Sequence, residues 1–312
     1  MILITGATGL VGRRLVACLA EREEVVCLVR PARRVRHFAP GVCVRVVSGD
    51  VDDPPTLRVA MHGVTAIIHL AAISRPYPNG RTVEKVNIEG TRNVIEAALE
   101  VGVRRLLFTS PIGTDAHSAY LYPRTKGLAE ELVRASGLDY TILRASAVYG
   151  EDDEWTTVMA MGLHALPVVA PIPGDGRSRL QPLHVDDMVE CIMRSLADRS
   201  KVGQTLTVGG PQVMTFDDVI GEVMKATGVK RRKMYLSVPM AHSLAHLTGR
   251  LLGRPPFSHA SVDLLQMNRT TALDSVSYQF GFQPARMSDS LSYLSQPRPW
   301  RRMFMRYLMS RE

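Results

Sequence analysis

A chain of 312 residues with 46% hydrophobic and 22% charged residues can bury a full α/β core and has the composition of an ordinary soluble enzyme. Its net charge of +8 points to anionic ligands or surfaces, and much of the excess lies in an Arg cluster at 30–36 and in the C-terminal tail. Cys18, Cys27, Cys43 and Cys191 have neither paired nor metal-ligand spacing, which argues against a disulfide framework and against a Cys-based metal site. In chain order, ILIT (2–5), VVCLV (25–29), VRVVSG (44–49), AIIHLAA (66–72), RLLFTS (105–110) and YTILRAS (140–146) read as strands. Between them, GLVGRRLVACLAER, TLRVAMHG, VEKVNIEGTRNVIEAALEVG and PRTKGLAEELVRASG carry helical spacing of apolar residues. This alternation, with strands that are almost wholly apolar, predicts a doubly wound parallel Rossmann sheet whose ligand crevice lies at the carboxyl ends of the strands.

After Gly150 the rhythm changes. A loop-rich stretch leads to LQPLHVDDMVECIMRSLAD, read as a strand and helix returning to the main sheet, and TLTVGGP (205–211) reads as one more strand. FDDVIGEVMKATG, PMAHSLAHLTGRLLG and HASVDLLQM are helical. The expected organisation is an NAD(P)-binding domain over 1–150, completed by about 178–208, a smaller substrate lobe over 151–297, and a basic amphipathic tail over 298–312. The cysteines, all in apolar runs, read as reduced core residues. MILITGATG runs straight into a strand without signal-peptide features, and no run approaches the about 18–20 apolar residues of a spanning helix, so a cytoplasmic protein is expected.

TGATGLVG, residues 5–12, ends a strand and opens a helix. Gly6 permits the tight turn, Gly9 the approach of a diphosphate, and Gly12 the close packing of helix on strand. Thr5, Thr8, Leu10 and Val11 complete the phosphate loop. At the end of the second strand an acidic residue would select NAD(H). This chain instead has LVRPARRVR, and the guanidinium forks of Arg30, Arg33 and Arg34 predict NADP(H), with NAD(H) the alternative. Tyr122 and Lys126 stand four residues apart on one helix face, behind a Pro123 suited to a first helical turn. An ammonium beside a phenol stabilises the phenolate and lowers its pKa, which suits proton exchange beside a nicotinamide.

These motifs are joined by GDV (49–51), HLAA (69–72), VNIEGTRNVIEAA (86–98), YPRTK (122–126), LRASAVYG (143–150), RLQPLHVDDM (179–188) and TVGGPQVMTFDDV (207–219). Together they resemble the extended or atypical short-chain dehydrogenases/reductases, and most the branch containing the NAD(P)-binding accessory subunit of respiratory complex I. The resemblance implies that Asp50 and Val51 border adenine, that Leu70, Ala71 and Ala72 lie along the cofactor, and that Asn87 supports the active-site backbone. Thr109, at the end of the fifth strand, is counted with the cofactor-binding residues. Relatives commonly carry two hydroxyl residues after this strand, the second polarising the substrate oxygen; here that position is Pro111, and Ser110 is the provisional substitute, with Thr109 and Ser118 as the other candidates.

The expected function is an NADP(H)-dependent oxidoreductase acting on a carbonyl/alcohol pair, with the Met-rich second half hinting at an apolar substrate. One alternative is a dinucleotide-binding structural, assembly or redox-sensing protein of a membrane-associated complex, which Pro111 favours. Another is a nucleotide-sugar epimerase or dehydratase, which rests on Arg179 alone. The tail PRPWRRMFMRYLMSRE predicts a helix with an apolar face and basic flanks, for an anionic membrane surface or a partner protein, unless it docks on its own domain. No nucleic-acid module accompanies it. His242 and His246, at helical spacing with no third ligand in view, read as surface or packing residues. His184-Val-Asp186-Asp187 reads as a strand end and helix cap.

Overall fold

The apolar runs of the first half become the strands β1 (Ile2–Thr5), β2 (Val25–Val29), β3 (Val44–Ser48), β4 (Ala66–His69), β5 (Arg105–Pro111) and β6 (Asp139–Ala145) of one sheet, to which Gln204–Val208 adds beside β6. The order is β3-β2-β1-β4-β5-β6 followed by Gln204–Val208, and every neighbour runs parallel. β1, β2 and β4 are buried along their whole length, as strands covered on both faces must be. The computed structural model describes residues 1–31, 43–77, 80–252, 254–255 and 257–310. Arg33, Arg34, Arg36 and Arg311 therefore lie outside the described residues.

The helices are α1 (Leu10–Leu19), α2 (Pro54–Met61), α3 (Gly90–Glu100) and α4 (Leu121–Ala135). Leu3, Ile67, Leu106 and Phe108 meet Leu57 and Met61 of α2, Val94 of α3 and Val133 of α4 in one core. α1 packs against a later helix, Val185–Ala197, joined by an Arg14–Asp186 ion pair. The chain winds outward in both directions from β1 and β4, which opens a crevice at their carboxyl ends. The long helix predicted over 83–102 is broken: a π-helical turn, Lys85–Glu89, precedes α3. Such a turn widens the ladder by one residue and is frequent where a side chain is wanted for something else. Here that side chain is Asn87.

By its contacts the chain divides into Met1–Ala145 with Val185–Val208, and Ser146–His184 with Gly209–Glu312. In the second unit Val169–Pro173 pairs in parallel with Arg232–Leu236. Leu183–His184, expected to return to the main sheet, pairs instead with Val148–Tyr149; only the helix that follows belongs to the first unit. Asp186 and Asp187 lie in that helix's first turn, where carboxylates oppose the positive helix end. The unit's core gathers Tyr149, Phe216, Val219, Tyr293, Trp300 and Phe304.

The tail forms a helix, Trp300–Met309, packed on the helix Thr156–Ala165 of the same unit. Trp300 stacks on His164 at 5.4 Å, Phe304 is buried, and Arg298 bonds Asp152 at 3.1 Å and also Glu151. The face predicted for a membrane or partner is thus largely turned onto its own unit, leaving Arg302, Met305, Arg306 and Met309 outside. Burying the Trp300 and Phe304 rings removes apolar area from water, which favours the docked helix. The reading of all four cysteines as core residues is corrected in part: Cys43 is exposed, and Cys18 is half-buried. Among the described residues no helix is long and apolar enough to cross a membrane.

Candidate active site

The turn between β1 and α1 is built by glycine. Gly6 has φ +74, and a Cβ there would lie 2.8 Å from the Ala71 nitrogen. A Cβ on Gly12 would lie 2.7 Å from Ala7 Cα, so α1 can pack on the strand exit only without a side chain at that position. Gly9 is the N-cap of α1 and offers no side-chain bond to the first-turn N–H groups, which are left to a ligand or to water. That is the donor set a diphosphate requires, and the residues present fit a dinucleotide. A cavity of about 160 Å³ opens here, and its lining includes Thr5, Gly6, Thr8 and Gly9 together with Asp50, Val51, Leu70, Ala71 and Ala72. Leu10 and Val11 stand in the first turn of α1 behind it.

Beneath the cavity runs a buried hydrogen-bond chain that sequence reasoning missed. The Ala71 N–H donates to Thr5 Oγ1 at 3.3 Å, and Thr5 Oγ1 lies 2.6 Å from His69 Nδ1. His69 Nε2 lies 3.1 Å from Thr91 Oγ1, which donates to the Asn87 carbonyl at 2.7 Å. The Thr91 proton is therefore committed, so Nε2 carries the imidazole hydrogen and Nδ1 accepts from Thr5. Burial, helped by the nearby Lys126 charge, pushes the His69 pKa down to about 3, which keeps the ring neutral as this chain requires. The Asn87 side chain accepts from the Ile73 N–H at 2.9 Å and donates to the Ile73 carbonyl and to Thr125 Oγ1, both at 3.0 Å. Thr125 in turn donates to the Tyr122 carbonyl at 3.0 Å. The π-turn thus ties the segment after β4 to the start of α4.

Arg30 lines the same cavity and lies over the Tyr77 ring at 5.5 Å. Asp50 is held by Arg81, one bond being 2.9 Å long, and its Oδ1 also accepts the Val51 N–H at 2.7 Å. Tyr77 and Arg81 carry no motif and were not legible as site residues.

Tyr122 and Lys126 occupy the first two turns of α4. Lys126 is buried, its Nζ 3.8 Å from the centre of the Phe108 ring. Burial pushes its pKa down to about 7, against the opposing pull of Glu130. Ser110 is turned inward: its Oγ is 2.8 Å from Thr114 Oγ1, which donates to the Pro111 carbonyl at 2.7 Å. Glu130, fully buried, accepts from Arg144 at 2.6 Å and Arg134 at 2.5 Å. Burial alone would raise its carboxyl, but bonds from Arg144, Ser110 and Arg134 hold it below the ordinary range. Thr109 is half-buried at the carboxyl end of β5, and Pro111 continues that strand beside Ala145.

Residues 2–209 match the model of the NAD-dependent epimerase/dehydratase family. The chain belongs to this family. Across 94% of its length it is 26% identical to the photosystem II assembly factor Ycf39 of Guillardia theta, covering 92% of that protein. It is 25% identical, again over 94% of its length, to a 3beta-hydroxysteroid-dehydrogenase/decarboxylase of Arabidopsis thaliana, of which it spans 62%. Over 60% of the chain and 58% of the relative it is 33% identical to a ceramide reductase of Caulobacter vibrioides. Among solved structures, the dTDP-glucose 4,6-dehydratase DesIV of Streptomyces venezuelae superposes with a TM-score of 0.74 at 20% identity, covering 97% of both chains. That likeness shows the fold alone. Family members named beside this chain thus include enzymes of different substrates and an assembly factor, on one nucleotide-binding frame.

Proposed function

We propose that this chain is a dinucleotide-dependent oxidoreductase interconverting a carbonyl and an alcohol, with NADP(H) preferred over NAD(H). The observation that carries the reading is the Tyr122–Lys126 pair on α4, with the Lys126 amine buried against the Phe108 ring. A nicotinamide bound in the crevice would supply or receive the hydride. Tyr122 gives a proton to the substrate oxygen in reduction and takes it back in oxidation. Lys126, desolvated beside Phe108, gains more from a neighbouring phenolate than it would in water, and so lowers the phenol's pKa. Asn87, acting through Thr125, fixes the backbone of Tyr122. Arg30 supports the preference for a 2′-phosphate; Arg33 and Arg34 belong to the same reading from sequence. The names of the steroid dehydrogenase and ceramide reductase support a lipid-like ketone or alcohol as substrate.

Position 111 offers no hydroxyl, and Ser110 is engaged with Thr114 and Glu130. Loss of one oxyanion donor slows such chemistry by about 10²–10³-fold, so turnover is expected to be slow. The test is NADPH oxidation over a panel of lipid ketones, with Tyr122→Phe as control. That change should lower turnover by about 10²–10⁴-fold and leave the NADPH Kd within about threefold. Turnover that survives it rejects the proton-relay role.

The same Pro111 and inward Ser110 favour a second reading, a cofactor-binding assembly protein, which the similarity to Ycf39 along nearly all of both chains also supports. In that reading the outward face of the tail helix, with Arg302, Met305, Arg306 and Met309, meets the partner. Tight dinucleotide binding with no turnover on any carbonyl in the panel would select it.

A further inference from the structure

The adenosine end of the crevice contains a carboxylate that should disfavour a 2′-phosphate. Asp50 lines the cavity together with Arg30 and Arg81. Left free, its charge would repel a phosphate dianion, whatever the β2 arginines do. It is not free. Arg81 holds both carboxylate oxygens, and lies 3.5 Å from Asp52 as well. The Arg81 side chain is only 11% exposed, and its Nε has no hydrogen-bond partner among the described residues.

The same turn also positions the other guanidinium. The Tyr77 N–H donates to the Arg81 carbonyl at 3.0 Å, so the residue that neutralises Asp50 and the ring that carries Arg30 are fixed to each other through the backbone. A guanidinium stacked by its face keeps its N–H edges available. Tyr77 and Arg81 therefore contact Arg30, the residue after β2, and Asp50, two residues past the end of β3, and the charged side chains lining the cavity, Arg30, Arg81 and Asp50, sum to a net +1.

We infer that Arg81 is a specificity-determining residue: by masking Asp50 and acting with Arg30, it makes the adenosine end of this crevice accept a 2′-phosphate. The inference rests on the dinucleotide-binding reading and goes beyond the β2 arginines to a residue that lies far from them in sequence.

The test measures Kd for NADPH and NADH by calorimetry on the full chain, for the wild type, Arg81→Gln, Asp50→Asn and the double variant. Arg81→Gln should weaken NADPH by about tenfold or more while NADH changes by less than about threefold. The double variant should recover most of the lost NADPH affinity, because the unmasked carboxylate is gone. Circular dichroism and the NADH Kd keep a folding defect apart from a loss of discrimination. An equal loss for both dinucleotides, no recovery in the double variant, or a wild type that prefers NADH would overturn the inference while leaving dinucleotide binding intact. A folded wild type that binds neither overturns the cofactor reading itself, and this inference with it.

Discussion

The two units of this chain are built on opposite plans. The first, Met1–Ala145 with Val185–Val208, is a long parallel sheet whose central strands β1, β2 and β4 are buried apolar runs, and several of whose buried polar groups are joined in networks. Thr5, His69, Thr91 and Asn87 form one; Glu130, Arg144 and Arg134 form another. The second unit has several two-residue strands and relies on aromatic and methionine packing between helices, with Tyr149, Phe216, Tyr293, Trp300 and Phe304 at its centre. The contrast is one of mechanism. A buried network is sensitive to the loss of one partner, because the survivors lose their bonds but stay out of water. A core of interlocking rings responds to lost volume instead.

The largest expected effect lies in the first unit. Glu130→Gln leaves Arg144 and Arg134 without their counter-charge and should cost about 3–5 kcal/mol, read by urea unfolding; a cost below about 1 kcal/mol would mean that the network is solvent-screened. In the second unit Trp300→Ala should cost about 3 kcal/mol from the cavity beside His164. A near-neutral result there would detach the tail helix from the core and reopen its surface roles.

Acid should sharpen the comparison further. His69 has a folded pKa well below its unfolded value of 6.5, so between pH 6.5 and about 3 the unfolded chain binds the extra proton. Stability should therefore fall as pH drops below 6.5, and a His69→Gln variant should show a shallower fall in acid unfolding curves. Lys126 follows the same sign at higher pH: its folded value near 7 lies below 10.5, so its burial penalises the native state least above 10.5 and most below 7. The smallest effect is Thr215→Ala. It removes the capping box at the start of the helix Phe216–Thr227 and should cost about 1 kcal/mol, seen as a small shift in the urea midpoint.

Legibility in the sequence divides along the same line. β1 and β2 have the bounds that the apolar runs predict, because a strand covered on both faces must be apolar throughout and the turns that end it need glycine. The glycine turn after β1 is local, so its residues stand together in the chain as they do in space. Arg81 and Tyr77 were invisible, since nothing in their spacing says which strand end their turn reaches. The inward turn of Ser110 depended on Glu130, twenty residues later, being buried behind it. In the second half the helices were legible and their partners were not. His242 and His246 read as surface or packing residues, but only the fold shows that His259 comes 2.9 Å from His242 and that Asp263 lies 3.3 Å from the same ring.

By itself the sequence determined a parallel Rossmann sheet, a glycine-built turn from strand to helix and a Tyr–Lys pair on one helix face, because each follows from periodicity or from spacing along a single element. Only the tertiary structure decided which charges are masked, which hydroxyls are spent inside, and that the amphipathic tail covers its own unit. Those outcomes depend on neighbours distant in the chain, whose burial sets whether a polar or apolar group faces water.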